Sequence, residues 1–461
     1  MKRDARWRLV VGSVLLLGTL GGCSSLFGSA PKGPDSLAHD ENPPVQQDSE
    51  GDNEGSPALG AGPRLTPDKN AASILLRLPN PENASAWSQA GGSATHAGRH
   101  LALLKSPWDV WSVSIGEGSG RDAKILGTPV VSQGRVFALD AEGHVSAWQT
   151  EESRHAVWTF DTAPPESDGE ALGGGLAVDG ARLVVTTGWG EVIALAPSTG
   201  KVLWRVQVGK PLRAAPTLAG GRVLVVTFDN ELQALDLKDG HFLWKHNGIA
   251  ENATLMGSAS PAAEDETVIA AYGSGEVFAL RAENGRVLWS DTLAARGAGG
   301  SLPSLPSIRG LPVLDRDLVI VMSHNGRLVA LNALTGERAW EVEVGGVSTP
   351  LVVGEAVIIL TNDNDLAALS RADGRVVWVK SLQRLAKPGD PDSDPVFWQG
   401  PILAGGQVWL TNSLGQLVAF APTDGQLRLT RTGPGPFFLP PISAAEVLYV
   451  LSDDGTLQAW R

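Results

Sequence analysis

Short apolar runs separated by glycine or asparagine fill most of this chain, and the punctuation is periodic. In the stretch DNELQALDLKDGHFLW, residues 229–244, Asn230 sits four residues before the pair Ala234-Leu235, Gly240 follows six residues after that alanine, and Trp244 opens the next run. The same frame recurs at Ala147, Ala194, Ala279, Ala330, Ala368, Ala419 and Ala459, each followed by a bulky apolar residue. Four residues before each anchor stands Gly143, Gly190, Asn230, Gly275, Gly326, Asn364, Gly415 or Gly455. Only glycine and asparagine readily take the positive φ that a tight hairpin turn needs, so this position predicts a turn between two strands. A second glycine six residues after the anchor marks a further turn at Gly200, Gly240, Gly285, Gly336, Gly374 and Gly425. Trp158, Trp204, Trp244, Trp289, Trp340 and Trp378 then begin a fourth strand, a place that Leu429 takes in the seventh unit.

Each unit therefore reads as four antiparallel strands in roughly 40–50 residues, the size of one propeller blade. The eighth unit stops at Arg461, straight after its third strand. Its missing strand is found upstream, where Trp111-Ser-Val-Ser-Ile-Gly116 matches Trp340-Glu-Val-Glu-Val-Gly345. The prediction is an all-β, eight-bladed propeller over residues 73–461. The strand near Trp111 completes the last blade and removes the open edges that invite aggregation.

The N-terminus has a different grammar. Lys2, Arg3, Arg6 and Arg8 precede a largely apolar stretch over residues 9–20, too short to span a bilayer but suited to a secretory signal over residues 1–22. The run ends in Leu20-Gly-Gly-Cys23, which resembles a bacterial lipobox, and that resemblance implies acylation of Cys23. By similarity to sorted lipoproteins, Ser24 after the cysteine implies the periplasmic side of the outer membrane of a Gram-negative bacterium. Residues 23–72 are rich in Ser, Pro, Gly, Asp and Glu without apolar periodicity and read as a solvated tether.

Composition narrows the chemistry. The net charge of −13 leaves no electrostatic footprint for nucleic acid. Cys23 is the one cysteine, so intramolecular disulfides and cysteine-based metal sites are excluded. No GxSxG, HExxH or GxxxxGK[ST] motif occurs, and no helical pattern follows the cluster at residues 116–120. Asn362-Asp-Asn-Asp365 falls on the repeat's turn position and reads as a hairpin tip, and the carboxylates of residues 390–394 read as a solvated loop. His96 and His100 form one pair, too few for a metal centre. No catalytic residue, metal or cofactor is assigned.

The unit Ala-x-Asp-x-x-x-Gly-x-x-x-Trp, seen at Ala234, Asp236, Gly240 and Trp244, resembles the tryptophan-docking repeat of PQQ-dependent alcohol dehydrogenases and their non-enzymatic relatives. Among the relatives the chain is similar to the BamB family, propeller lipoproteins of the outer-membrane β-barrel assembly machinery. The carrying stretches are the lipobox, Trp87-Ser-Gln-Ala-Gly-Gly92 with His96, Pro129-Val-Val131 with Gly134-Arg-Val-Phe137, and Pro306-Ser-Ile-Arg-Gly310. That resemblance implies a non-catalytic scaffold that binds the POTRA domains of the barrel-inserting subunit, with unfolded outer-membrane proteins as a second class of partner. It places Leu305, Pro306, Ser307, Ile308 and Arg309 at the contact, on a long inter-blade connection that exposes Leu302, Leu305 and Ile308 among prolines. The chain departs from the family where Gly345 and Val347 precede Ser348-Thr-Pro350 in place of acidic residues. The alternative is a divergent PQQ-dependent periplasmic dehydrogenase; those enzymes resemble one another in a Cys-Cys pair that this chain lacks. A third reading is a propeller that takes a ligand in its axial funnel.

Overall fold

The computed structural model describes residues 64–70, 74, 76–121, 123–151, 154–165, 172–250, 257–293 and 307–461. The signal segment, Cys23 and most of the tether lie outside them. Every described strand falls into one of eight sheets, and no helix occurs among the described residues. The fold is the eight-bladed β-propeller that the repeat predicts.

The third blade shows the unit. Thr217–Ala219 lies innermost and pairs with Arg222–Val226, which pairs with Glu231–Asp236, which pairs with the outer strand Phe242–Asn247. The middle strands are sandwiched between neighbouring blades, so they are apolar on both faces. Leu183–Thr187 and Glu191–Leu195 of the second blade are buried throughout. Outer strands such as Val202–Gln207 bury little besides their tryptophan. All eight first-turn residues, Gly143 through Gly455 including Asn230 and Asn364, adopt positive φ.

The core is a ring rather than a ball. Eight apolar clusters form among the described residues, one for each junction between successive blades. Seven of the eight anchor alanines pair across their sheet with the outer-strand tryptophan, as Ala234 does with Trp244 and Ala330 with Trp340, and Ala419 pairs with Leu429. The indole leaves its own blade to dock on the next. Trp244 Nε1 donates to the Ala282 carbonyl (2.8 Å), Trp340 Nε1 to that of Arg371 (2.8 Å) and Trp158 Nε1 to that of Pro197 (3.0 Å). The acceptor is in every case the third residue after the next blade's anchor alanine. The ring lies against the second-turn glycine: a Cβ on Gly285 would stand 2.6 Å from Trp244 Cε3, and its φ of +71° independently disfavours a side chain.

The last blade closes as expected. Asp109–Ser114 pairs with Thr456–Trp460, with Trp111 opposite Ala459. Its indole donates to the Thr150 carbonyl of the first blade (3.1 Å). Leu429 stands where the seventh blade would carry a tryptophan, and the reason is geometric. The outer strand of the eighth blade comes from the N-terminus, so that blade has no second turn on which an indole could dock.

A second closure was not legible in the sequence. The segment over residues 84–101 runs around the axis and bonds to the free edge of the innermost strand of every blade. Ala445 N–H donates to the Ala84 carbonyl (2.7 Å) in the eighth blade. Trp87 and Val131 exchange two bonds in the first, and Val178 N–H donates to the Ser88 carbonyl (2.8 Å) in the second. Leu218 N–H reaches Gln89 Oε1 (2.8 Å) in the third, Ala263 N–H the Ala94 carbonyl (2.8 Å) in the fourth and Leu314 N–H the Thr95 carbonyl (2.9 Å) in the fifth. In the sixth, Gly98 N–H donates to the Val352 carbonyl (2.9 Å), and in the seventh His100–Leu101 adds a parallel strand beside Leu403 and Ala404. An inner strand has one edge facing the axis, and its unpaired backbone groups need partners when water is excluded. This girdle supplies them blade by blade. Further upstream, Asp68 N–H donates to the Val376 carbonyl (2.9 Å) and Leu65 packs on the junction of blades five and six, so the body's contacts begin before residue 73.

Candidate functional site

The girdle makes the axial channel a cup. Residues 87–99 form its floor, and its wall is built from the residues that lead into the innermost strands, among them Arg213, Arg309, Ser348 and Phe438. Its volume is about 210 Å³. The wall is backbone packed on backbone. A Cβ on Gly310 would lie 2.6 Å from the Ser348 carbonyl oxygen, and one on Gly175 would lie 2.7 Å from Ala215 Cα. Small residues are therefore required around the axis, and the few long side chains that reach the cup stand out.

Three arginines line it and, among its described lining residues, no carboxylate does. Arg99 is neutralised by Glu82 through its Nε. Arg213 lies with its guanidinium 5.7 Å from the centre of the Phe228 ring, and its Nε is buried without a hydrogen-bond partner among the described residues. Arg309 is largely withdrawn from solvent, and desolvation lowers its pKa below the ordinary guanidinium value. Trp87 Nε1 and His96 Nε2 are buried and likewise without a partner among the described residues. His96 Nδ1 lies 2.8 Å from the Pro312 carbonyl oxygen; an acceptor there requires the proton on Nδ1 and leaves Nε2 a bare acceptor. Burial pulls the imidazole pKa down to about 4, the Pro312 bond opposing only in part. The ring is neutral at physiological pH.

The residues expected at a partner contact separate. Leu305 and Pro306, like Leu302, fall outside the described residues. Ser307 and Ile308 are 3% and 2% exposed, and Ile308 packs with Ala259, Val319 and Val321 between blades four and five. The expectation that Ile308 stands exposed is corrected. The chain has already entered the fifth blade at this point, held by His324 N–H donating to the Ser307 carbonyl (2.9 Å). Arg309, the next residue, turns toward the cup. Val347 lines the cup at a position where the family resemblance anticipates an acidic residue.

The other motifs settle into structural roles. Asn364 caps its hairpin by donating Nδ2 to the Val396 carbonyl (2.8 Å), and Asp390 accepts from the Asp392 N–H within a loop turn (3.1 Å). His100 Nδ1 lies 2.7 Å from the Pro79 carbonyl oxygen, while its Nε2 accepts from Gly406 N–H (2.9 Å). Asp236, Asp239 and His241 approach one another at the second turn of the third blade, where both carboxylates accept backbone N–H groups of that turn.

Residues 150–380 match the family described as outer membrane protein assembly factor BamB. The chain belongs to the BamB family. It is 27% identical to the assembly factor BamB of Yersinia pestis over 77% of this chain and 89% of that protein. With the Salmonella typhimurium protein it shares 27% identity over 77% of this chain and 88% of the relative. The crystal structure of BamB from Moraxella catarrhalis superposes with a TM-score of 0.65 at 22% identity, covering 77% of this chain and all (100%) of that one. The quinohemoprotein alcohol dehydrogenase of Comamonas testosteroni reaches a TM-score of 0.63 at 14% identity, over 83% of this chain and 81% of its own. That second likeness is one of fold alone. Within the BamB family, the stretch Trp87-Ser-Gln-Ala-Gly-Gly92 with His96 acquires a physical role, since it is the girdle and the floor of the cup.

Proposed function

We propose that this chain is a non-catalytic scaffold of outer-membrane protein assembly. A lipid on Cys23 holds it at the periplasmic side of the outer membrane, and it binds the POTRA domains of the barrel-inserting subunit. Membership in the BamB family carries this reading, because relatives named as outer membrane protein assembly factors align along nearly their whole length. A closed ring of blades joined by surface connections is an architecture for presenting surface. Arg309 and the connection before it, with Leu305 and Pro306, are the proposed partner contact. Ile308 and Ser307 support it from inside the blade junction.

The test is recovery of a POTRA-bearing partner by the mature chain from detergent-solubilised envelopes. Arg309→Glu is expected to reduce recovery at least tenfold while leaving the melting temperature within a few degrees of wild type. Undiminished recovery removes Arg309 from the contact, and failure of the folded wild type to retain the partner defeats the scaffold reading. Ile308→Asp is the wrong probe, because an unpaired carboxylate in that junction unfolds blades rather than a contact.

The dehydrogenase alternative has a chemical obstacle. By the family resemblance such enzymes hold calcium beside the quinone, and the cup offers no carboxylate among its described lining residues. A stoichiometric quinone absorbance after adding PQQ and calcium to the purified chain is the result that reinstates it.

A further inference from the structure

We propose that the axial cup is a binding site for a small carboxylate that carries a hydrogen-bond donor on the atom next to it. The inference goes beyond the scaffold reading and does not depend on it.

Charge gives the first half of the argument. The whole chain carries a net charge of −13, yet arginine is the sole charged residue type among the described residues that line the cup. With Arg99 occupied by Glu82, Arg213 and Arg309 face the cavity without a protein counter-ion among the described residues. A guanidinium removed from water and left unpaired is costly, and an anion seated beside it offsets that cost. The planar fork of arginine matches a carboxylate with two parallel bonds.

The donor and acceptor inventory gives the second half. Arg213 Nε and Trp87 Nε1, on two side chains that line the cup, are buried donors without partners among the described residues. His96 Nε2 is an acceptor, because Nδ1 holds the ring's one proton against Pro312, and it is buried without a partner among the described residues. An anion that only accepts leaves the imidazole unsatisfied. A ligand with a carboxylate and a neighbouring N–H or O–H answers both, and Leu311, Ile402 and Phe438 provide an apolar wall for its body. An N-acylated amino acid, a 2-hydroxy acid and the free end of a peptide chain share this chemistry.

Calorimetric titration of the purified chain tests the proposal without any partner protein. N-acetyl-leucine is expected to bind saturably with one site per chain, and its amide, which lacks the charge, not to bind. 4-Methylpentanoate, which keeps the carboxylate but lacks the N–H, is expected to bind several-fold more weakly. Arg213→Gln and Arg309→Gln should each weaken N-acetyl-leucine at least tenfold, with melting curves confirming an intact ring. A pair of alanine-rich pentapeptides ending in leucine, one with a free and one with an amidated terminus, separates the two sources. Binding of the free form alone assigns a chain end, and binding of N-acetyl-leucine without either peptide assigns a free small acid; both support the shared chemistry. Absence of saturable binding by N-acetyl-leucine, binding of the amide with equal strength, or displacement by inorganic phosphate at equal concentration overturns it.

Discussion

His96 concentrates several demands in one residue. It sits in the girdle at φ +57°, its ring is enclosed, and its Nδ1 is held against the Pro312 carbonyl. Its folded pKa of about 4 lies below the ordinary imidazole value of 6.5, so the unfolded chain takes up the proton first as pH falls. Stability therefore rises with pH between those two values and is lost on acidification through them. The expected loss is about 2 kcal/mol between pH 7 and pH 5, from about 1.4 kcal/mol per pH unit. Carboxylates with lowered pKa, such as Asp229 and Glu231, act at lower pH and leave that window to histidine. His246, also lowered by burial, adds in the same direction. Asparagine tolerates a positive φ, so His96→Asn is the suitable variant. Its urea-unfolding free energy is expected to fall less steeply from pH 7 to pH 5 than that of the wild type. Equal slopes would remove the buried neutral imidazole from the account.

At the scale of the strand, the docking tryptophans connect one sheet to the next. A net hydrogen bond of this kind is worth about 1 kcal/mol, whereas burying a large apolar side chain is worth about 2–3 kcal/mol. Burial therefore supplies most of the holding force and the Nε1 bond fixes orientation. Trp111 is the instance that closes the ring, with its indole 5.9 Å from the Tyr449 ring and bonded to the first blade. Trp111→Ala is expected to lower stability by about 3 kcal/mol or more. Leu429→Ala, at the same register in a blade without a docking partner, should cost about 2 kcal/mol. Chemical denaturation of the two variants checks the order, and a smaller loss at Trp111 would mean that the clasp contributes little.

The whole molecule is closed twice, by the outer strand at Trp111 and by the girdle on the axis. The two closures are separable, because a chain beginning at residue 102 keeps the clasp strand and all eight blades. Such a truncation removes the partners of the inner edge in every blade. It is expected to fold into the same sheets but to melt at least 10 °C lower, with the backbone amides of Val178, Ala263 and Leu314 exchanging faster with solvent. Unchanged melting and exchange would show that the girdle merely rests on the ring. The girdle also turns a channel into a cup, so this truncation should abolish any carboxylate binding along the axis.

The repeat, the number of blades and the closing strand were legible in the amino-acid sequence. Each depends on local chemistry repeated at fixed offsets: a glycine or asparagine that takes positive φ, an alanine small enough to face an indole, and a tryptophan ten or eleven residues later. Ile308 shows where that legibility stops. Its apolar neighbours suggested an exposed patch, and only the packing of blade four on blade five decides that it is core while Arg309 beside it faces the cup. The girdle was hidden for the same reason. It contributes one or two bonds to each of eight strands remote in sequence, so it leaves no periodic trace. The electropositive cup exists only where residues as distant as Trp87, Arg213 and Arg309 meet. Periodic local geometry writes itself into the chain, whereas pairings between distant backbone edges come into being only when the ring has formed.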